Sequence, residues 1–301
     1  MLPLRDGVAA STVTLPSDGW EFLVDFLCDK FSAISRDIWL VRFQDGLITD
    51  QQGHALPADT RFQAGSIVRY YRALDNETPI PFTEQILFQD EFILAADKPH
   101  FLPAVPAGKY LQETLLVRLK RKTGIDSLAP MHRIDRETAG VMLFTIKPET
   151  RGAYQSLFQT KQVQKHYHAI APYRDDLTLP MTYRSRMQES EHFMRMQETA
   201  GPTNSETNIA LIEQANDLAC YLLKPLTGKK HQLRVHMAAL GIPIVNDQIY
   251  PTYTALDIEN FQKPLQLLAK RIEFTDPFSG QPRIFQSNKN LFLQNNCYDL
   301  F

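Results

Sequence analysis

The sequence predicts an α+β protein whose main sheet is mixed and mostly antiparallel. Three observations carry that reading. Strand and helix signals interleave, but without a regular strand–helix–strand repeat. Several strand-like runs alternate polar and apolar residues or are apolar throughout. A stretch rich in proline, asparagine and acid, LDNETPIPFT at 74–83, separates a smaller N-terminal region from the rest. The expected division is a small α+β domain over 1–80 and a larger domain over 81–301.

In chain order, the first helical signals lie in WEFLVDFLCDKFSAISRDIWLVRFQDGLI. Phe22, Leu23, Phe26 and Leu27, then Ile38, Leu40 and Val41, recur at helix-like spacing and give two helices. Ser35 can cap the second, because its hydroxyl can accept an otherwise unpaired backbone N–H. Asp45-Gly46 marks a turn, and GSIVRYYR reads as a closing strand. Beyond the boundary, ILFQDEFILAADKP reads as two short strands about Gln89-Asp90-Glu91. ETLLVRLKRKTG is an amphipathic helix that Gly124 can end. VMLFTI is a strand, followed by a helix with Pro148 in its first turn. KHYHAIAP and IALIEQ read as strands. ACYLLKPLTGKKHQLRVHMAALG reads as a strand, a turn at Thr227-Gly228, and a helix ending near Gly241.

Composition narrows the class. Of 301 residues, 44% are hydrophobic, which is ample for a buried core. No apolar run has the length of a membrane span, and the N-terminus lacks the apolar core of a signal peptide. The three cysteines (Cys28, Cys220, Cys297) are scattered and form no C-x-x-C, so a reducing cytoplasm is the expected location. The net charge of −2 argues weakly against a dedicated polyanion binder, although a basic groove can coexist with an acidic back face.

Three constellations could carry chemistry. In HRIDRETAG, Asp135 stands between Arg133 and Arg136 just before a strand. Nearby cations favour an ionised carboxylate and burial opposes it, a contest typical of nucleophiles and bases. The plain alternative is a strand-edge salt bridge. In LTGKKHQLRVH, Lys229 and Lys230 follow a turn whose backbone N–H groups could meet a phosphate, and no acid lies between Asp217 and Asp247. The plain alternative is a solvated basic face. His231 and His236 are five apart and do not share a helical face, so no metal pair is expected. In KQVQKHYHAIAP, alternation puts Tyr167 opposite His166 and His168. It could stack on a base or simply belong to the core.

The order and wording of these segments resemble the RluA-type pseudouridine synthases. HRIDRETAG, KHYHAIAP and LTGKKHQLRVHMAALGIPIVNDQIY follow that family's sequence of motifs, and ILFQDEFILAADKPHFLP agrees upstream. The likeness spans roughly residues 86 to 285. It implies a pseudouridine synthase fold and the isomerisation of uridine in structured RNA, ribosomal or transfer, by a monomer without cofactor or metal. It implies Asp135 as the catalytic aspartate, Arg234 as its ion-pair partner, and Tyr167 as the residue that stacks on uracil. Arg133 and Arg136, with Lys229, Lys230, His231 and Gln232, would bind substrate, and Leu267 would line the base pocket. Residues 22 to 72 resemble a diverged S4-type RNA-binding module, through Ser35-Arg36, Gly46 and Gly65-Ser66-Ile67-Val68.

The chain departs from the family pattern at Ala139, Lys229, Asn246 and Leu268, where Ser, Arg, Gly and His are usual. The alternative reading is a catalytically silent RNA-binding protein on the same scaffold. A hydrolase finds no support, since neither a Gly-x-Ser-x-Gly elbow nor a paired-carboxylate signature is present.

Overall fold

The computed structural model describes residues 4–5, 7–17, 19–72, 77–192, 194–254, 261–291 and 293. Cys297 and residues 74–76 of the boundary stretch lie outside them. The chain forms two compact units, Met1–Glu77 with Val105–Asp126, and Thr78–Ala104 with Ser127–Phe301.

The first unit contains β1 (Ser11–Thr14), α1 (Leu23–Lys30), α2 (Arg36–Gln44), β2 (Ile48–Thr49), β3 (Ile67–Tyr70) and α3 (Leu115–Thr123). Its strands pair in the order β1-β3-β2. Leu23, Phe26, Leu27, Trp39, Phe43, Ile48 and Val68 form its core. Ser35 caps α2 as the sequence suggests, accepting the N–H of Ile38 at 3.4 Å. The buried stripe of α2 differs from the expected one. Trp39 and Phe43, an i,i+4 pair, face inward, while Ile38 and Val41 are exposed. Trp39 removes the most apolar surface from water and so sets the rotation of the helix. α3 ends as expected, with Gly124 in the left-handed conformation at φ 70°.

The second unit is built on one 11-stranded sheet. Its elements are β4 (Gln85–Gln89), β5 (Ile93–Lys98), β6 (Ala129–Pro130), β7 (Ala139–Thr145), α4 (Arg151–Gln159), β8 (Gln164–Pro172), β9 (Met181–Glu189), β10 (Met196–Thr199), β11 (Ser205–Ala215), β12 (Leu218–Pro225), α5 (Gln232–Ala239), β13 (Leu267–Thr275) and β14 (Pro282–Gln286). The order is β10-β9-β11-β12-β8-β13-β7-β5-β4, with β14 on β13 and β6 on β7. Every pairing is antiparallel except β13 with β7. The fold is therefore α+β with a mixed, mostly antiparallel sheet, as predicted.

Two apolar clusters cover this sheet. Leu233 and Met237 of α5 pack with Ala169, Tyr221, Leu223 and Leu267. Tyr154 and Leu157 of α4 pack with Ile93, Val141, Leu143 and Phe274. Among the described residues, no helix is long and apolar enough to cross a membrane.

Candidate active site

The site forms at the middle of the sheet, where β8, β13 and β7 are neighbours. One row of register partners runs Leu223, Tyr167, Ala269, Gly140. Strands are about 4.8 Å apart, so Tyr167 and the start of β7 are about 10 Å from each other. The loop from β6 to β7 carries Asp135, whose charge acts on Tyr167.

That loop is fastened at both ends. Gly140 sits at φ 113°, and a Cβ there would lie 2.2 Å from the carbonyl oxygen of Ala269. Only glycine fits, which gives the last residue of HRIDRETAG a physical reason. His132 accepts the N–H of Leu143 at Nε2 (3.2 Å) and stacks on Phe158. Burial lowers its pKa to about 3, so it stays neutral and keeps that acceptor. Lys98 is buried, and its Nζ donates to the carbonyls of Pro99, Leu102 and Arg136 at 3.0, 2.7 and 2.9 Å. Three acceptors call for an ammonium with three donors. Burial draws the Lys98 pKa down to about 7, against the opposing pull of Glu137 and Asp135. His100 bonds the carbonyl of Glu137 through Nδ1 at 2.7 Å.

Asp135 meets its cation from a residue 99 positions away. Arg234 Nη1 lies 3.4 Å from Asp135 Oδ2. Arg234 itself is anchored elsewhere. Its Nε and Nη2 bond both oxygens of Asp247 at 2.7 and 2.6 Å, and both side chains are 1% exposed. Burial works against the charge of Arg234, yet the hydrogen bonds and charge of Asp247, then Asp135 and Glu137, carry its pKa above the usual arginine range. Glu137 is 4.0 Å away. One guanidinium thus serves three carboxylates, gripping Asp247 and reaching toward Asp135 with its remaining nitrogen.

The other expected site residues fall into two groups. Near Asp135 are Tyr167 and His231, and Leu267 lies in the apolar cluster beside Tyr167. Burial, and then the charge of Asp135, raise the Tyr167 pKa above the normal tyrosine range, so its hydroxyl stays protonated. His231 stands at the start of α5 with φ 55°, and its Nε2 is 3.9 Å from Asp135 Oδ1. Leu267 is buried in the cluster against which Tyr167 packs. Farther out, Arg133, Lys229 and Lys230 are exposed, and Arg136 bonds Glu137 at 3.3 Å. Gln232 is different again. Its Oε1 accepts from Thr227 Oγ1 and the Lys229 N–H, and its Nε2 donates to the Glu206 carbonyl and Thr207 Oγ1. All four positions of its amide are used inside the fold. His236 is likewise held by Ser205, Ser185 and Thr207. Among the described residues, no group of three or more His, Cys, Asp or Glu is placed to hold a metal ion.

A family model described as RNA pseudouridylate synthase matches residues 92–239. The "Dual-specificity RNA pseudouridine synthase RluA" of Salmonella typhi is 31% identical over 209 residues, which cover 67% of this chain and 91% of that protein. The chain belongs to the RluA-type family of RNA pseudouridine synthases. The "tRNA pseudouridine synthase C" of Salmonella typhimurium is 30% identical over 227 residues, covering 67% of this synthase and 84% of its relative. The solved structure "Human RNA Pseudouridylate Synthase Domain Containing 1" matches in fold. Its TM-score is 0.55 at 21% identity, over 69% of this chain and 84% of that one.

Sequence reasoning missed several residues around the synthase's candidate site. Asp247, Tyr250 and Lys98 all stand inside segments that matched the family, but nothing local said that an acid would clamp Arg234 or that a lysine would be buried. Asn246 is now explained. Its φ is 63°, a conformation in which glycine is usual and asparagine is among the best substitutes.

Proposed function

We propose that this synthase isomerises uridine to pseudouridine in ribosomal or transfer RNA, with Asp135 as the catalytic carboxylate. The observation that carries the assignment is the Arg234 guanidinium, locked by Asp247 and turned toward Asp135. A carboxylate beside a buried, pre-placed cation is far more costly to build than a surface salt bridge.

The reaction breaks the bond from ribose C1′ to uracil N1, turns the base, and rejoins it through C5. The proton lost at C5 balances the one gained at N1, so mass and oxidation state are unchanged. No redox cofactor or metal is called for. Asp135 either attacks C1′ or removes the 2′ proton, and both routes use the carboxylate anion. Tyr167, protonated and packed against the cluster that includes Leu267, would stack on the detached uracil. The base must first leave its helix or loop, at a cost of a few kcal/mol. Arg133, Lys229 and Lys230, with Arg136, would grip the flanking phosphates. Gln232 would serve by holding the Thr227–Lys229 turn, and His231 would sit beside the carboxylate.

The substrate is structured RNA, the protein acts as a monomer, and the cytoplasm is its compartment. The division expected near residue 80 would separate the catalytic domain from a small S4-like domain, with Val105–Asp126 grouping with the smaller unit. Two features support the S4-like reading: Ser35 caps α2 directly before Arg36, and Gly65-Ser66 lead into β3. A purely RNA-binding protein has no need of an acid facing that guanidinium.

The test incubates the purified chain with total RNA from cells lacking it, followed by nucleoside mass spectrometry. New pseudouridine at unchanged RNA mass, absent with Asp135→Asn, supports the assignment. RNA bound without new pseudouridine supports the silent alternative, and a change of mass points to hydrolysis.

A further inference from the structure

The turn that holds Arg234 also holds a second group aimed at Asp135. Asp247 Oδ1 accepts the backbone N–H groups of Ile249 and Tyr250 at 2.8 and 3.1 Å. This fixes the tight turn from Asp247 to Tyr250. The Tyr250 ring is 4% exposed, with the guanidinium carbons of Arg195 and Arg234 at 5.4 and 5.6 Å from its centroid. One turn therefore positions both the partner of Arg234 and the hydroxyl of Tyr250.

That hydroxyl has two neighbours among the described residues. The backbone N–H of Met196 donates to it at 2.8 Å, and His231 Nδ1 lies 3.1 Å away. A phenol has one proton to give. Met196 takes an acceptor position on the oxygen, so among the described residues the proton has one acceptor within reach, Nδ1 of His231. A buried hydroxyl left without an acceptor would cost about 1–3 kcal/mol. His231 Nδ1 is then the bare nitrogen of a neutral ring, and the hydrogen is on Nε2. Nε2 is the atom that faces Asp135 Oδ1, at 3.9 Å. His231 is held for this task in a left-handed backbone conformation, φ 55°, which is uncommon outside glycine.

We infer that Tyr250 sets the tautomer of His231, so that Nε2–H becomes the second donor to the Asp135 carboxylate, opposite Arg234. His231 and Tyr250 are positioning residues. Arg234 steadies Oδ2, His231 steadies Oδ1, and both are anchored in the Asp247–Tyr250 turn. The inference requires the 3.9 Å gap to close to hydrogen-bond length when RNA binds, as catalytic hydrogen bonds commonly tighten in the complex.

This inference rests on the reading of Asp135 as the catalytic carboxylate. The primary test needs no substrate. Nitrogen NMR of the full chain, labelled with ¹⁵N-histidine, reads the protonation of each ring nitrogen in neutral-to-alkaline buffer, with His231→Gln to assign the signals. The expected result is a bare Nδ1 and a protonated Nε2, with that preference lost in Tyr250→Phe. The single-turnover rate on total RNA from cells lacking the chain should fall about tenfold in Tyr250→Phe, the loss of roughly one hydrogen bond to a charged group. The enzyme concentration giving half-maximal rate should stay unchanged. A protonated Nδ1 in the wild type overturns the inference, and so does a Tyr250→Phe enzyme with the wild-type rate. If Tyr250→Phe fails to fold, His231→Gln is compared with His231→Leu. The amide, which keeps a donor, should retain more activity, and equal rates overturn the inference. A wild type that modifies RNA while carrying Nδ1–H would refute this tautomer and leave the proposed reaction standing. A wild type with the assigned tautomer and no turnover would do the reverse.

Discussion

Arg234 is the residue on which the site turns. It is fully buried, and its strongest bonds go to Asp247 rather than to Asp135. Removing one member of a buried pair leaves the other charge uncompensated, at a cost of about 3–5 kcal/mol. Asp247→Ala should therefore lower stability by about that amount in urea unfolding and abolish turnover. An unchanged unfolding midpoint would show that Arg234 finds another partner. Tyr167→Phe probes a different group. The raised pKa keeps the Tyr167 hydroxyl protonated, so it is poorly suited to act as a base. A phenyl ring still stacks, and near-wild-type single-turnover rates are expected. A collapse of the rate would assign the hydroxyl a part in the chemistry. At this scale the sequence exposed Asp135 and Tyr167, because each stands inside a dense local motif. The local motif could not pair Asp135 with its cation, and only the family resemblance pointed to Arg234. Arg133 and Arg136 are adjacent in sequence, yet Arg133 is exposed and the ion-pair partner at 3.4 Å comes from α5.

Among the elements, the junction of β7 and β13 is the least tolerant of change. It is the one parallel contact in the large sheet among the described residues, and Gly140 lets the two backbones approach. Gly140→Ala would place a methyl group against the Ala269 carbonyl at a φ of 113°. A loss of at least about 2 kcal/mol is expected, with reduced activity because Asp135 rides on the displaced loop. Thermal unfolding and the single-turnover rate check both effects, and a variant with wild-type values in each would contradict the fit. Helices and strands with strong periodic patterns were legible: β4, β5, α3, β8, β12 and α5 lie where the sequence puts them. β9 was not, because MTYRSRMQE carries charge on its exposed face and only scattered apolar residues on the other. β2 has two residues and no periodicity to read. Strand order was also invisible, since β13 inserts between β8 and β7 from far along the chain.

For the whole molecule, three desolvated histidines tie stability to pH. His132, His100 and His236 have pKa values lowered by burial from 6.5 to about 3, 4 and 4. The unfolded chain binds protons at these sites below about pH 6.5, where the folded chain does not. Their contribution is fully present above that pH and is lost as pH falls toward 4. The urea midpoint should be flat from neutrality to about pH 6.5 and fall steadily below it. A midpoint that held constant down to pH 4 would mean that the folded rings do not resist protonation as described. The reaction itself is read out in living cells. Pseudouridine is mapped by base-specific chemistry in ribosomal and transfer RNA from cells with the chain, without it, and with Asp135→Asn. The expected result is a site that is lost on deletion, restored by the wild type, and not restored by the variant. A site restored equally well by Asp135→Asn would contradict it.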